Sequence, residues 1–206
     1  MNTECGCGEG ACGCGENCGC DSSDCGCGCM DAGAYDIRIG HEVPNFTLDA
    51  YFKGEFKEVS LDDYEGKWKV VFFYPLDFTF VCPTEILDLS AKNSEFEALN
   101  TQILAVSIDS VHAHKAWSKE IGDLNFPMLS DLNKNLSELF NVLHDDGMSL
   151  RGMFIIDPDN ILQAMTVHNL TVGRNTEELK RVIEAFQTGD LCPIGWKKGD
   201  KTLGAA

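Results

Sequence analysis

Cys82 is the residue of this chain best placed to do chemistry. It lies where the apolar run Lys69-Val-Val-Phe-Phe-Tyr74 gives way, through the loop from Pro75 to Val81, to a helix whose first position suits Pro83. Unpaired N–H groups and the dipole at a helix start favour an anion there, so the position suits a thiolate. A dithiol oxidoreductase would carry a second cysteine three positions on. Glu85 stands there instead, so Cys82 cannot close a local disulfide. A lone activated thiolate suits attack on an oxidant, which leaves a sulfenic acid on the sulfur. The competing reading is a structural cysteine buried in the core, a frequent fate of free thiols.

The other ten of the eleven cysteines fall into two unlike groups. Cys192 stands alone, 110 positions after Cys82. The remaining nine lie between Cys5 and Cys29, in a repeat of Cys-Gly-Cys units spaced by Gly, Glu, Asp, Ser and Asn. Residues 1–34 contain no Lys or Arg and almost no large apolar side chains, so they read as a low-complexity segment that cannot build a core. Cys-x-Cys pairs can chelate a soft metal such as Zn or Cu(I). The spacing Cys-x-x-Cys of a defined structural zinc site does not occur in them. A pool of exchanging thiols and a tail without a role are the rival readings. The five histidines show no ligand spacing; His112 and His114, two apart, should face different sides of a helix.

The elements that must position Cys82 follow from periodicity. Val43–Ala50 and Phe56–Leu61 read as two strands of a hairpin around Lys53-Gly54. Lys69–Tyr74 and Gln102–Ile108 read as strands buried on both faces. Ile86, Leu87, Leu89, Phe96 and Leu99 supply the apolar stripe of a helix of about four turns after Pro83. Helices are expected over His112–Ile121 and Asn133–Val142, strands over Arg151–Ile156 and Ile161–Val167 across the turn Asp157-Pro-Asp-Asn160, and a last helix over Thr176–Gln187, stopped by Gly189. This order predicts a mixed α/β sheet covered on both faces, in the order of a thioredoxin-like fold with additions, over residues 35–206.

Composition excludes several classes. There is no stretch of about 18 apolar residues to span a membrane, and the amino terminus has neither the basic start nor the apolar stretch of a secretory signal. A net charge of −17 argues against a nucleic-acid partner. With two cysteines in the globular part, a reducing, cytoplasmic location is expected.

Beyond these readings, the segment Tyr74-Pro-Leu-Asp-Phe-Thr-Phe-Val-Cys-Pro-Thr-Glu-Ile86 resembles the active-site loop of typical two-cysteine peroxiredoxins, whose pattern Pro-x-x-x-Thr/Ser-x-x-Cys is met by Pro75, Thr79 and Cys82. Val106–Trp117, Arg151–Asp157, Val172-Gly-Arg174 and Leu191-Cys-Pro-Ile-Gly-Trp-Lys197 are similar to four further segments of that family, in the same order. The resemblance implies a thiol peroxidase acting on hydrogen peroxide and alkyl hydroperoxides. Cys82 would attack the distal peroxide oxygen, and Thr79 and Arg151 would donate to the departing oxygen. Pro75 would shield the site from water, and Glu85 and Arg174 would hold Arg151 in place. It further implies that Cys192 resolves the sulfenic acid of a partner subunit as an intersubunit disulfide, in a homodimer that assembles into a ring such as a decamer. No cofactor is needed for this chemistry, and electrons would come from thioredoxin or a flavin-containing disulfide reductase.

Two departures from overoxidation-sensitive relatives stand out. The stretch Asp123–Ser130 lacks a Gly-Gly-Leu-Gly insertion, and the chain ends 14 residues after Cys192 without a Tyr-Phe-bearing helix. Resolution is therefore expected to outrun oxidation to sulfinic acid. The alternatives of another class are a metal-binding or storage protein that uses the Cys-x-Cys head, and a ring-forming holdase chaperone.

Overall fold

The computed structural model describes residues 37–205. The readings made for residues 1–34, including Zn or Cu on the Cys-x-Cys head, lie outside the described residues.

Strands β1 (Thr47–Phe52) and β2 (Glu55–Ser60) form the expected hairpin. Its two turn residues, Lys53 and Gly54, both take positive φ, which matches the right-handed twist of the flanking strands. The first strand begins four residues later than the apolar pattern suggests. Pro44 has no N–H for a ladder, and Val43 N–H instead donates to Asn160 O at 2.8 Å. After a short 3-10 turn come β3 (Trp68–Phe73), α1 (Cys82–Ala91), α2 (Asn93–Ala98), β4 (Thr101–Ser107), α3 (Val111–Ile121), β5 (Met128–Ser130) and α4 (Asn135–Leu139). The chain then runs through β6 (Arg151–Ile156), β7 (Leu162–His168) and α5 (Thr176–Gln187).

The seven strands form one sheet in the order β2-β1-β5-β4-β3-β6-β7. β3, β4 and β5 are parallel neighbours, while β6 runs antiparallel to β3 and β7 antiparallel to β6. Alternation along β3 separates the two apolar layers. Val70 and Phe72 face Cys82, Ile86, Phe96, Trp117 and Ile183, whereas Val71 and Phe73 face Leu104, Phe140 and Phe154. This is the period of two expected of a strand covered on both sides.

Three elements differ from the sequence reading. The helix after Cys82 breaks at Lys92 (φ −95°, ψ 3°), and the second piece turns so that Phe96 stays buried. β5 has three residues, too few to show a period, and pairs between β1 and β4. The helix expected over Asn133–Val142 is trimmed by left-handed residues at Lys134 and Asn141. Asp131 caps its start, accepting from Leu136 N–H at 3.0 Å and Ser137 N–H at 2.7 Å.

Candidate active site

Cys82 is the first residue of α1, and Pro83 follows it in the first turn, where its missing N–H has no consequence. The loop from Pro75 to Val81 that delivers it is fastened from beneath. Tyr74 Oη donates to Asp77 Oδ1 at 2.8 Å, His114 Nδ1 lies 2.8 Å from Asp77 Oδ2, and Asp77 N–H donates to Asp109 Oδ2 at 2.8 Å. Ser149 Oγ donates to Tyr74 O at 2.7 Å, tying this loop to the chain just before β6. Burial, and then the charge of Asp77, raise the Tyr74 hydroxyl well above its ordinary value, so Tyr74 stays a neutral donor.

The Cys82 side chain is 0% exposed, and Arg151, the first residue of β6, is 3% exposed beside it. Arg151 Nη1 lies 3.5 Å from Cys82 Sγ and 2.6 Å from Glu85 Oε2, while its Nε donates to Leu170 O at 2.8 Å. Glu85, one turn along α1 from Cys82, also accepts from Arg174. Its Oε1 receives Arg174 N–H at 2.7 Å and Nε at 2.9 Å, and its Oε2 receives Nη2 at 3.2 Å. Arg174 Nη1 donates to Gly152 O at 2.6 Å, and its guanidinium lies 3.3 Å from the centre of the Phe72 ring. Thus α1, β6 and the approach to α5 each contribute one member of a buried Arg–Glu–Arg cluster. Burial alone would raise the Glu85 carboxyl, but the hydrogen bonds and charge of Arg174, with the charge of Arg151, hold it below its ordinary value. Burial lowers Arg174 to about 10, against the pull of Glu85, so both members stay charged at neutral pH. With two guanidinium groups against one carboxylate, the cluster carries a surplus positive charge, and Arg151 presents it to the Cys82 sulfur.

Pro75, Thr79, Phe80, Met148, Arg151 and Leu170 border an open depression of about 310 Å³ above this cluster. Thr79 Oγ1 donates to Leu76 O at 3.0 Å in this state. The hydroxyl proton is thus engaged within the loop, and donation into the depression requires the hydroxyl to rotate. Cys192 lies elsewhere, in the chain after α5, half-buried and a free thiol like Cys82. Cys82, Arg151, Glu85, Arg174, Thr79 and Pro75 are thus brought together, and Cys192 is not.

Sequence reasoning missed Ser149, Met148 and the Asp77–His114 pair. His114 is fully buried, in keeping with its expected separation from His112, but only the fold brings it to a partner 37 positions away. Among the described residues no group of three or more His, Cys, Asp or Glu side chains could hold a metal ion. No helix there is long and apolar enough to cross a membrane.

A buried cysteine at a helix start, faced by a charge-clamped arginine on a thioredoxin-like sheet, defines a thiol peroxidase site. Known proteins agree. Residues 39–165 match the AhpC/TSA family. The chain is 49% identical over 177 residues to the chloroplastic 2-Cys peroxiredoxin of Spinacia oleracea, covering 80% of this chain and 67% of the relative. It is 47% identical over 176 residues to a peroxiredoxin of Caenorhabditis elegans, covering 80% and 88%. The reduced 2-Cys peroxiredoxin of Plasmodium vivax superimposes with a TM-score of 0.78 at 41% identity, over 80% of this chain and 91% of that one. AhpC of Mycobacterium bovis does so with 0.72 at 42% identity, over 79% and 99%. The chain belongs to the AhpC/TSA family and is an enzyme of the peroxiredoxin type, a thiol peroxidase. The metal-storage and holdase alternatives are not favoured.

Proposed function

We propose that this chain reduces hydrogen peroxide and alkyl hydroperoxides with Cys82 as the attacking sulfur and Cys192 as the resolving one. The observation that carries the reading is the placement of Arg151 Nη1, 3.5 Å from Cys82 Sγ and 2.6 Å from Glu85. The thiolate attacks the distal oxygen of ROOH. The O–O bond breaks, an S–O bond forms to leave Cys82–SOH, and the alkoxide departs as ROH by taking up the proton that the Cys82 thiol released on ionising. Charge develops on the departing oxygen, and a preorganised guanidinium opposite it lowers the barrier. Thr79 supplies a second polar contact, and Pro75 covers the sulfur from water. Glu85 and Arg174 hold the Arg151 fork in place.

In the second step Cys192 of one subunit attacks the Cys82 sulfenic acid of another. A homodimer is then obligatory for turnover. Two features support self-association. β7 is an edge strand with exposed Met165 and Val167, and unpaired strand edges favour pairing with a second chain. Phe78 and Phe80 on the active-site loop are also exposed, which suits a further contact that closes dimers into a ring, such as a decamer. Electrons return through thioredoxin or a flavin-containing disulfide reductase, and a cytoplasmic location fits a cycle that depends on them. No cofactor takes part in these steps, nucleic acid and membrane are not partners, and a soft metal on the nine-cysteine head would serve a separate role.

The test pairs two variants. Cys82→Ser should abolish peroxide consumption although the nine head thiols remain, and Cys192→Ser should lose the covalent dimer on a non-reducing gel. Undiminished turnover by Cys82→Ser, or an unchanged covalent dimer in Cys192→Ser, would overturn the assignment.

A further inference from the structure

We propose that Asp77 and His114 are positioning residues for the peroxide-reducing step, a buried pair that fixes the turn on which Thr79 is presented to the Cys82 site. The inference rests on the reading of Cys82 as the attacking sulfur given above.

Both side chains are buried, and neither borders the depression over Cys82. They belong to a network that ties the active-site loop to four elements of the fold. Tyr74, just past β3, donates its hydroxyl to Asp77 Oδ1 at 2.8 Å, and His114 on α3 meets Asp77 Oδ2 through Nδ1 at 2.8 Å. The other ring nitrogen of His114 lies 3.3 Å from Leu129 O in β5. Beyond β4, Asp109 Oδ2 accepts from Asp77 N–H at 2.8 Å and from Ser107 Oγ at 3.0 Å. Asp77 is therefore held by its side chain and by its backbone at once.

Two links carry this hold from Asp77 to Thr79. The N–H of Asp77 and the carbonyl of Leu76 belong to one planar peptide unit. Asp109 holds the N–H, and the carbonyl accepts Thr79 Oγ1 at 3.0 Å, so the orientation of that plane sets the seat of the Thr79 hydroxyl. Phe78, the residue between Asp77 and Thr79, has φ 56°, a left-handed conformation that a bulky residue keeps only where its surroundings impose it. Its ring is exposed, with Trp117 6.3 Å away, so the constraint comes chiefly from buried Asp77 before it. Without the pair the turn relaxes, and Thr79 moves off line. A misplacement of about 1 Å can cost roughly a hundredfold in rate. Arg151 keeps its own bonds to Glu85 and Leu170, so the loss should stop at about tenfold.

The experiment mixes the reduced full chain and its variants with hydrogen peroxide and follows Cys82 sulfenic acid by rapid quench and mass spectrometry. In parallel, alkylation of Cys82 by iodoacetamide measures the thiolate without calling on Thr79. In Asp77→Ala and His114→Leu, sulfenic acid formation should slow by about tenfold, while alkylation should be as fast as in the unaltered chain or faster. Asp77→Asn should restore the peroxide rate, because its amide oxygen accepts from Tyr74 and its amide N–H can donate to His114 Nδ1. Tyr74→Phe removes a single bond to Asp77 and should show the same selective loss to a smaller degree, which decides the matter if the other variants fail to fold. A peroxide rate within about threefold of the unaltered chain in both Asp77→Ala and His114→Leu would overturn the positioning role. So would alkylation slowed in step with the peroxide reaction, an Asp77→Asn as slow as Asp77→Ala, or a Tyr74→Phe as fast as the unaltered chain. Absence of sulfenic acid on Cys82 of the unaltered chain would overturn the Cys82 reading itself, and this inference with it.

Discussion

Arg151→Lys separates charge from geometry at the reacting sulfur. The guanidinium meets three acceptors at once, with Nε on Leu170 O at 2.8 Å and Nη1 2.6 Å from Glu85 and 3.5 Å from Cys82 Sγ. A lysine ammonium is a single point on a flexible stem and cannot span the same fork. Held by Glu85, it would leave the departing oxygen without its donor. Removing one preorganised donor to a developing oxyanion costs about 2.7–4 kcal/mol, or roughly 10²–10³ in rate. Glu85 keeps three hydrogen bonds from Arg174, so the fold should survive the change. Trp117 packs 5.9 Å from the Tyr74 ring in the apolar cluster that holds Cys82, which makes its fluorescence a reporter of sulfur oxidation. Stopped-flow mixing of reduced enzyme with hydrogen peroxide should show the first phase slowed by about two orders of magnitude or more. A variant that stays within tenfold of the unaltered chain would refute the role given to the fork.

Glu85→Gln should destabilise the protein by about 3 kcal/mol or more at pH 7, because it strands two buried guanidinium groups, and urea unfolding measures this. The Glu85 carboxyl is held below its ordinary value in the folded state. Its stabilisation is therefore complete above the unfolded carboxyl value of about 4.3 and is lost as pH falls through the lower folded one. The acid limb of the stability profile should be shallower in Glu85→Gln, and superimposable limbs would refute the pairing. Mass spectrometry after peroxide challenge should find sulfinic Cys82 a minority product at low doses, and its dominance there would remove the expected resistance to overoxidation. Elemental analysis of anaerobically purified chain should find Zn or Cu that is lost on deleting residues 1–34, and metal-free full-length protein would refute metal binding by the head.

The sequence made the site legible because its strongest signals are local. Pro75, Thr79, Cys82 and Glu85 fall within eleven residues, on one loop and one helical turn. Arg151 and Arg174 were legible only through resemblance, since an arginine at a strand start or in a loop has no spacing that announces a partner. The Asp77–His114 and Ser149–Tyr74 contacts left no trace, because their partners lie 37 and 75 positions apart and meet only in the fold. In the fold, the long buried strands and the amphipathic α5 were plain. The three-residue β5 and the break at Lys92 were not, because packing rather than periodicity decides them.

Cys82 and Glu85 ride on the same turn of α1. Any motion that frees the oxidised sulfur by unwinding that turn also withdraws the carboxylate that aims Arg151. A departing sulfenic acid therefore leaves behind a disassembled catalyst, and a second peroxide meets the sulfur without the help the first one had. The expected resistance of Cys82 to further oxidation would then be timed by the same event that exposes its sulfur.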